Sequence, residues 1–126
     1  MWTDDELARV GDAEELQLAS RRPDGALRKF ITMWVVRDGD DLYVRSAYGP
    51  DNPWYRRALA SGEGRIRAGG VERDADFEHV AEDSPVHTAL DEVYREKYRS
   101  HAARIVNTVV GEHVHGLTIR LVARGD

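Results

Sequence analysis

The sequence predicts an α+β fold that is mainly β: a small closed or split barrel with inserted helices. Three observations carry that expectation. Short segments of alternating polar and apolar residues recur at Glu15–Ser20, Asp41–Ser46, Val71–His79 and Leu117–Leu121, the period of half-buried strands. They are separated by turn chemistry, Arg21-Arg22-Pro23-Asp24-Gly25, Asp38-Gly39-Asp40 and Gly69-Gly70, which favours hairpins. Helix starts fall after the third strand and before the last, at Asn52-Pro53 and Ser84-Pro85. Five or six short strands joined in this way close most simply into a barrel.

Each element has a local reason. Thr3-Asp4-Asp5-Glu6 reads as a capping box opening a short helix with Leu7 and Val10 inward and Gly11 at its end. Leu27 to Arg37 reads as one strand, and the unbroken apolar run Phe30–Val36 predicts a central position covered on both faces. After the Asp-Gly turn, Leu42 and Val44 share one face and Tyr43 and Arg45 the other. Asn52 is expected as N-cap and Pro53 as first helical residue of a helix reaching Ser61, broken by Gly62 and Gly64. A short strand around Ile66 follows. In Val71–His79 the acidic alternates should face water along a charged free edge. Val86, Leu90, Val93 and Tyr94 mark one face of a helix to about Ser100, with a second helical piece over Ala102–Val109.

With 126 residues, one domain spanning 1–126 is expected. No run approaches the length of a membrane span, and the acidic start MWTDDELARV has no signal-peptide pattern. The chain has no cysteine, which excludes thiolate catalysis and disulfides. A cytoplasmic protein is the expectation. The net charge of −5 is unevenly spread: −5 over residues 1–20, +4 over 21–70 and −4 over 71–126. That distribution suits a small anion bound in the middle better than nucleic acid or a membrane.

The candidate chemistry sits in the basic third. The helix start at Asn52-Pro53-Trp54, with Arg56 and Arg57 a turn later, could attract an anion. Arg21, Arg22, Arg28 and Lys29 could fork onto phosphate. Trp34 and Tyr43 could stack on a ring. The ordinary alternatives are a capped helix, a solvated turn and core aromatics. Metal binding finds little support, because His113-x-His115, placed on one side of a strand, lacks convergent partners. No Gly-x-Ser-x-Gly elbow or Gly-rich phosphate loop occurs.

The order of these segments, with Arg28-Lys29, Leu42-Tyr43-Val44-Arg45-Ser46 and Asn52-Pro53-Trp54-Tyr55, resembles the flavin/deazaflavin-binding split barrels, most nearly their deazaflavin-dependent nitroreductase branch. From Thr3 to Leu121 the chain also resembles the uncharacterised family DUF2255. The resemblance implies FMN or a deazaflavin of the F-420 type as cofactor, and a reductase activity. It implies Arg21, Arg22, Arg28 and Lys29 near the phosphate tail, and Thr32, Met33 and Trp34 along the ring. Arg45, Ser46 and Tyr48 would flank the ring. Trp54, Tyr55 and Arg57 would hold the tail from the helix, and Tyr94 and Tyr98 would lie near substrate. The loop Ala47–Asn52 departs from the nitroreductase pattern in lacking a Lys-Gly-Gly-rich stretch. The alternative it opens is a non-catalytic barrel that binds a small anion or aromatic ligand without a redox cofactor. Either a monomer or a homodimer is compatible with the resemblance.

Overall fold

The computed structural model describes residues 1–125. Helix α1 (Asp4–Asp12) precedes strands β1 (Leu16–Ser20), β2 (Ile31–Met33), β3 (Val36–Asp38) and β4 (Asp41–Arg45). Helix α2 (Pro53–Ser61), strands β5 (Glu63–Ala68) and β6 (Val71–His79), and helix α3 (Val86–Lys97) follow. Two short helices, α4 (Ala103–Val106) and α5 (Glu112–His115), flank a 3₁₀ turn at Asn107–Val109 and lead into β7 (Thr118–Ala123). All seven strands form one curled antiparallel sheet in the order β2-β1-β5-β6-β7-β4-β3. Among the described residues no helix is long and apolar enough to cross a membrane.

The expected central strand over Leu27–Arg37 is corrected: it is two strands, β2 and β3, and they are the two edges of the sheet. Only Trp34 and Val35 separate them, so the chain itself joins the edges that hydrogen bonds leave open. The run is apolar for another reason than burial within a sheet. Val35 belongs to a core inside the curl with Leu18, Leu42, Val44, Ile66 and Leu121. Val36 belongs to a second core under α3 with Tyr43, Leu90, Tyr94, Tyr98 and Val110. A segment passing between two cores needs apolar residues facing both.

The same division explains β4. Its alternation is as expected, but both faces are buried: Leu42 and Val44 enter the first core, Tyr43 the second. β6 is not a free edge, since it pairs with β5 and β7. Its acidic residues face arginines on neighbouring strands; Asp74 accepts from Arg65 at 2.9 Å, and Glu78 accepts from Arg120 at 2.5 Å. The Arg65 hydrogen bond holds the Asp74 carboxyl below its ordinary pKa.

Capping matches sequence logic at α1, where Thr3 Oγ1 accepts from Glu6 N–H and Glu6 accepts from Thr3 N–H at 2.9 Å. It departs at α2, where the Asn52 side chain makes no cap bond and the Asn52 backbone carbonyl accepts from the Tyr55 and Arg56 N–H groups. Gly62 closes α2 with φ +73°, a left-handed value that suits glycine. Gly64 serves packing. It pairs with Ser20, and a Cβ there would lie 1.9 Å from the Ala19 carbonyl oxygen.

Candidate functional site

Five arginines converge where the Arg21–Gly25 turn meets α2. The turn is held by Arg22 N–H to Ala26 O at 2.8 Å and by Gly25 at φ +88°. Arg21, Arg22, Arg28 and Arg57 line an open cleft of about 730 Å³ with Arg56, and Glu63 is the acid on its wall. Arg21 pairs with Asp74 at 3.3 Å and Arg56 with Asp51 at 3.7 Å. Arg22, Arg28, Lys29 and Arg57 have no acidic partner among the described residues. Arg28 goes further: its Nε is buried and makes no hydrogen bond. A buried donor left open costs about 1–3 kcal/mol, so the site is unfinished in protein terms.

A small cavity of about 10 Å³ lies beside this cleft, lined by Arg28, Lys29, Ile31, Trp54 and Arg57. It shares Arg28 and Arg57 with the basic cleft and Ile31 and Trp54 with a third, more apolar cleft of about 400 Å³. Thr32, Met33, Trp34, Tyr48 and Trp54 border that third cleft. Shared side chains thus set the three clefts in a row, a groove with cations at one end and aromatic rings at the other. Its far wall is rigid: Trp34 stacks on Tyr98 with centroids 3.8 Å apart. Three of the exposed large apolar side chains, Ile31, Tyr48 and Ile105, ring this end.

Other residues expected at the site are placed differently. Arg45 borders the ring cleft, but its side chain is buried and its guanidinium is fully engaged. It donates to Asp91 at 2.5 Å, to the Val109 carbonyl at 2.9 Å, to Thr118 Oγ1 at 3.0 Å and to His87 Nδ1 at 3.2 Å. Ser46 is fully buried and donates to the Gly49 carbonyl. Tyr55 packs edge-on to Trp54 and donates to the Gly116 carbonyl.

Tyr94 and Tyr98 are both fully buried, so neither meets a substrate directly. The Tyr98 hydroxyl accepts from Val35 N–H at 3.1 Å, and its proton faces the Glu14 and Val35 carbonyls. The Tyr94 hydroxyl is buried without a partner. Burial raises the pKa of both phenols well above the ordinary range. Tyr94 lies on the apolar face of α3 and Tyr98 is its C-cap four residues on, a helical spacing that by itself accounts for both facing the core.

Sequence reasoning missed a buried polar cluster around Arg45. Asp91 accepts from Arg45 and lies 3.0 Å from His115 Nε2, while the His115 ring stacks on His87 at 4.6 Å. His113-x-His115 sits in helix α5, not on a strand. Burial alone would raise Asp91; hydrogen bonds from His115 and Arg45 offset it and hold the carboxyl below its ordinary value. Burial lowers the His87 pKa, and the neighbouring His115 and Arg45 charges add to the effect. Lys97, donating to the Val35 carbonyl at 2.6 Å, is likewise lowered by burial, to about 8. An Asp on a helix face carries no sequence signal of a buried arginine across the sheet.

Solved structures of several other proteins share this fold. The heme storage protein HutZ from Vibrio cholerae is similar over 100% of this chain and 93% of its own, with TM-score 0.65 and 14% identity. An F420 reductase is similar over 93% and 90%, with TM-score 0.59 and 17% identity. An FAD-binding protein from Mesorhizobium loti is similar over 98% and 91%, with TM-score 0.59 and 16% identity. At such identities they establish the split-barrel fold. No curated protein sequence matches the chain. The family described as an uncharacterized protein conserved in bacteria matches residues 6–121, nearly the whole length, and the chain belongs to it: DUF2255.

Proposed function

We propose that the chain is a flavin- or deazaflavin-binding split barrel acting as an oxidoreductase. The observation that carries this reading is the Arg28 Nε donor, buried and open at the junction between the basic cleft and the ring cleft. Forked guanidinium contacts suit a phosphate oxygen. Arg22, Arg28, Lys29 and Arg57 would neutralise the tail, and the Trp34 wall with Met33 and Thr32 would seat the ring. FMN or a deazaflavin coenzyme would supply hydride transfer when bound. The chain's own residues orient the ring and exclude water from its buried edge. The similarity to an FAD-binding protein and an F420 reductase supports a cofactor of this class.

The missing Lys-Gly-Gly-rich loop and the outward Tyr48, 81% exposed, favour the second reading, a ligand-binding barrel without redox chemistry. Titration separates the two. Purified protein is titrated with FMN, the deazaflavin coenzyme and hemin while flavin absorbance, intrinsic fluorescence and melting temperature are followed. Binding of FMN or deazaflavin at micromolar concentration or below, about −8 kcal/mol, is the expected result. Stabilisation by simple phosphate or aromatic anions with no flavin binding would replace the first reading with the second.

A further inference from the structure

The two ends of the groove sort charge in opposite ways. At the tail end stand the unpaired cations Arg22, Arg28, Lys29 and Arg57. At the ring end the bordering basic side chain is Arg45, and its charge is neutralised by Asp91 within the second core. Arg104, next to Ile105 on α4, does not line the cleft. One ionisable side chain there keeps a free charge. Glu15 is exposed at the rim, and no cation pairs with it among the described residues. The rest of the wall is apolar or neutral, with Ile31, Met33, Trp34 and Ile105 as its hydrocarbon and Thr32 and Thr108 as its hydroxyls.

We infer that the ring cleft takes an uncharged or cationic aromatic substrate and rejects carboxylates and phosphates, with Glu15 at its rim setting that preference. The inference rests on the cofactor reading for the tail end of the groove. Its physical basis is separate. An anion entering the ring cleft finds no free cation to replace its hydration and meets a like charge, which disfavours it. An aromatic cation or neutral ring gains from stacking on the seated cofactor ring, or on Trp34 where no cofactor is bound, and an ammonium gains from Glu15 as well. Specificity built by repulsion is expected to be reversible by one charge change.

The test uses three probes of nearly one shape: para-nitrobenzylamine, para-nitrobenzyl alcohol and para-nitrobenzoate. Their affinities are measured by fluorescence quenching and by calorimetry for the full chain, with and without FMN, and for Glu15→Gln and Glu15→Lys. Glu15 is on the surface, so both variants should fold, and circular dichroism checks this. The expected wild-type order is amine, then alcohol, then benzoate, with about tenfold or more between the extremes. Glu15→Gln should remove the amine's advantage over the alcohol, and Glu15→Lys should put benzoate first. FMN binding should persist in all three proteins, because the cations proposed to take its phosphate line the basic cleft and Glu15 does not. Equal binding of amine and benzoate by wild type, an order that survives Glu15→Lys, or no binding of any probe would overturn the inference. If the probes rank as expected while FMN fails to bind, the charge sorting stands and the cofactor reading falls.

Discussion

Trp34 lies flat on Tyr98, ring planes 4° from parallel and centroids 3.8 Å apart. One ring borders the ring cleft; the other is fully buried, with its hydroxyl tied to the backbone at Val35 and Glu14. The cleft wall is thus an extension of the second core. Tyr98 acts on a bound ring by fixing Trp34, not by touching the ligand.

Removing the hydroxyl but keeping the ring should separate anchoring from stacking. Tyr98→Phe is expected to cost about 1–2 kcal/mol from unmet Val35 and Glu14 backbone groups. Tyr98→Ala should cost about 3–5 kcal/mol through the cavity it leaves and should redden and broaden Trp34 emission. Urea denaturation followed by fluorescence measures both; equal losses for the two variants would show that the stack contributes nothing.

The Arg45–Asp91 pair, 2.5 Å apart with the arginine side chain wholly buried, should behave as a unit. Asp91→Asn strands the guanidinium and is expected to destabilise by about 3–5 kcal/mol. Replacing both residues, as Arg45→Met with Asp91→Leu, should recover most of that loss. A double-mutant cycle checks it, and additive single effects would refute the coupling.

Stability should fall on mild acidification, and His87 gives the direction. Its Nε2 lies 2.7 Å from the Ala81 carbonyl while Nδ1 faces Arg45, so the folded state favours the neutral ring. A folded pKa held below the ordinary 6.5 contributes stability that is complete above that value and lost as pH drops through the lowered one. Asp91, also lowered, adds a further loss in more acidic solution. Between pH 7 and 5 the wild type should lose stability with a slope of up to about 1.4 kcal/mol per pH unit for this one proton. His87→Gln should flatten the slope. Parallel curves for the two proteins would assign the effect elsewhere.

Gly64 offers a check on the sheet itself. Gly64→Ala sets a methyl against the Ala19 carbonyl oxygen at 1.9 Å and Phe77 at 2.9 Å. A loss above about 3 kcal/mol is expected. Gly25→Ala meets nothing within 4 Å and is strained only by its φ of +88°, so it should cost about 1–2 kcal/mol. Thermal melts of the two variants should rank them in that order.

Much of the architecture was legible because turn residues and period-two alternation are local signals. The Arg22–Gly25 turn, the Gly39 hairpin and the Thr3 capping box all form where the residues call for them. The break between β2 and β3 was not legible, because a segment crossing between two cores and a segment buried in one sheet look alike: both are continuously apolar. Arg45 on a strand reads as an outward charge until α3 brings Asp91 over it. Tyr94 and Tyr98 illustrate the reverse error, in which residues suggested by family likeness are explained by helical periodicity alone. The basic turn, by contrast, was readable as a cluster, since Arg21, Arg22 and Arg28 are close in sequence; its junction with Arg57 needed the fold.

The central claim is that the open cations hold a phosphate tail, and FMN against riboflavin tests it most directly, since the two differ only by that phosphate. Both are titrated into wild type and into Arg28→Ala/Arg57→Ala by fluorescence quenching at fixed ionic strength. Wild type is expected to prefer FMN by about 100-fold or more, some 2.7 kcal/mol, and the double variant should lose nearly all of that preference while keeping its melting temperature. Riboflavin binding as tightly as FMN to wild type, or an FMN preference untouched by removing both arginines, would contradict the account.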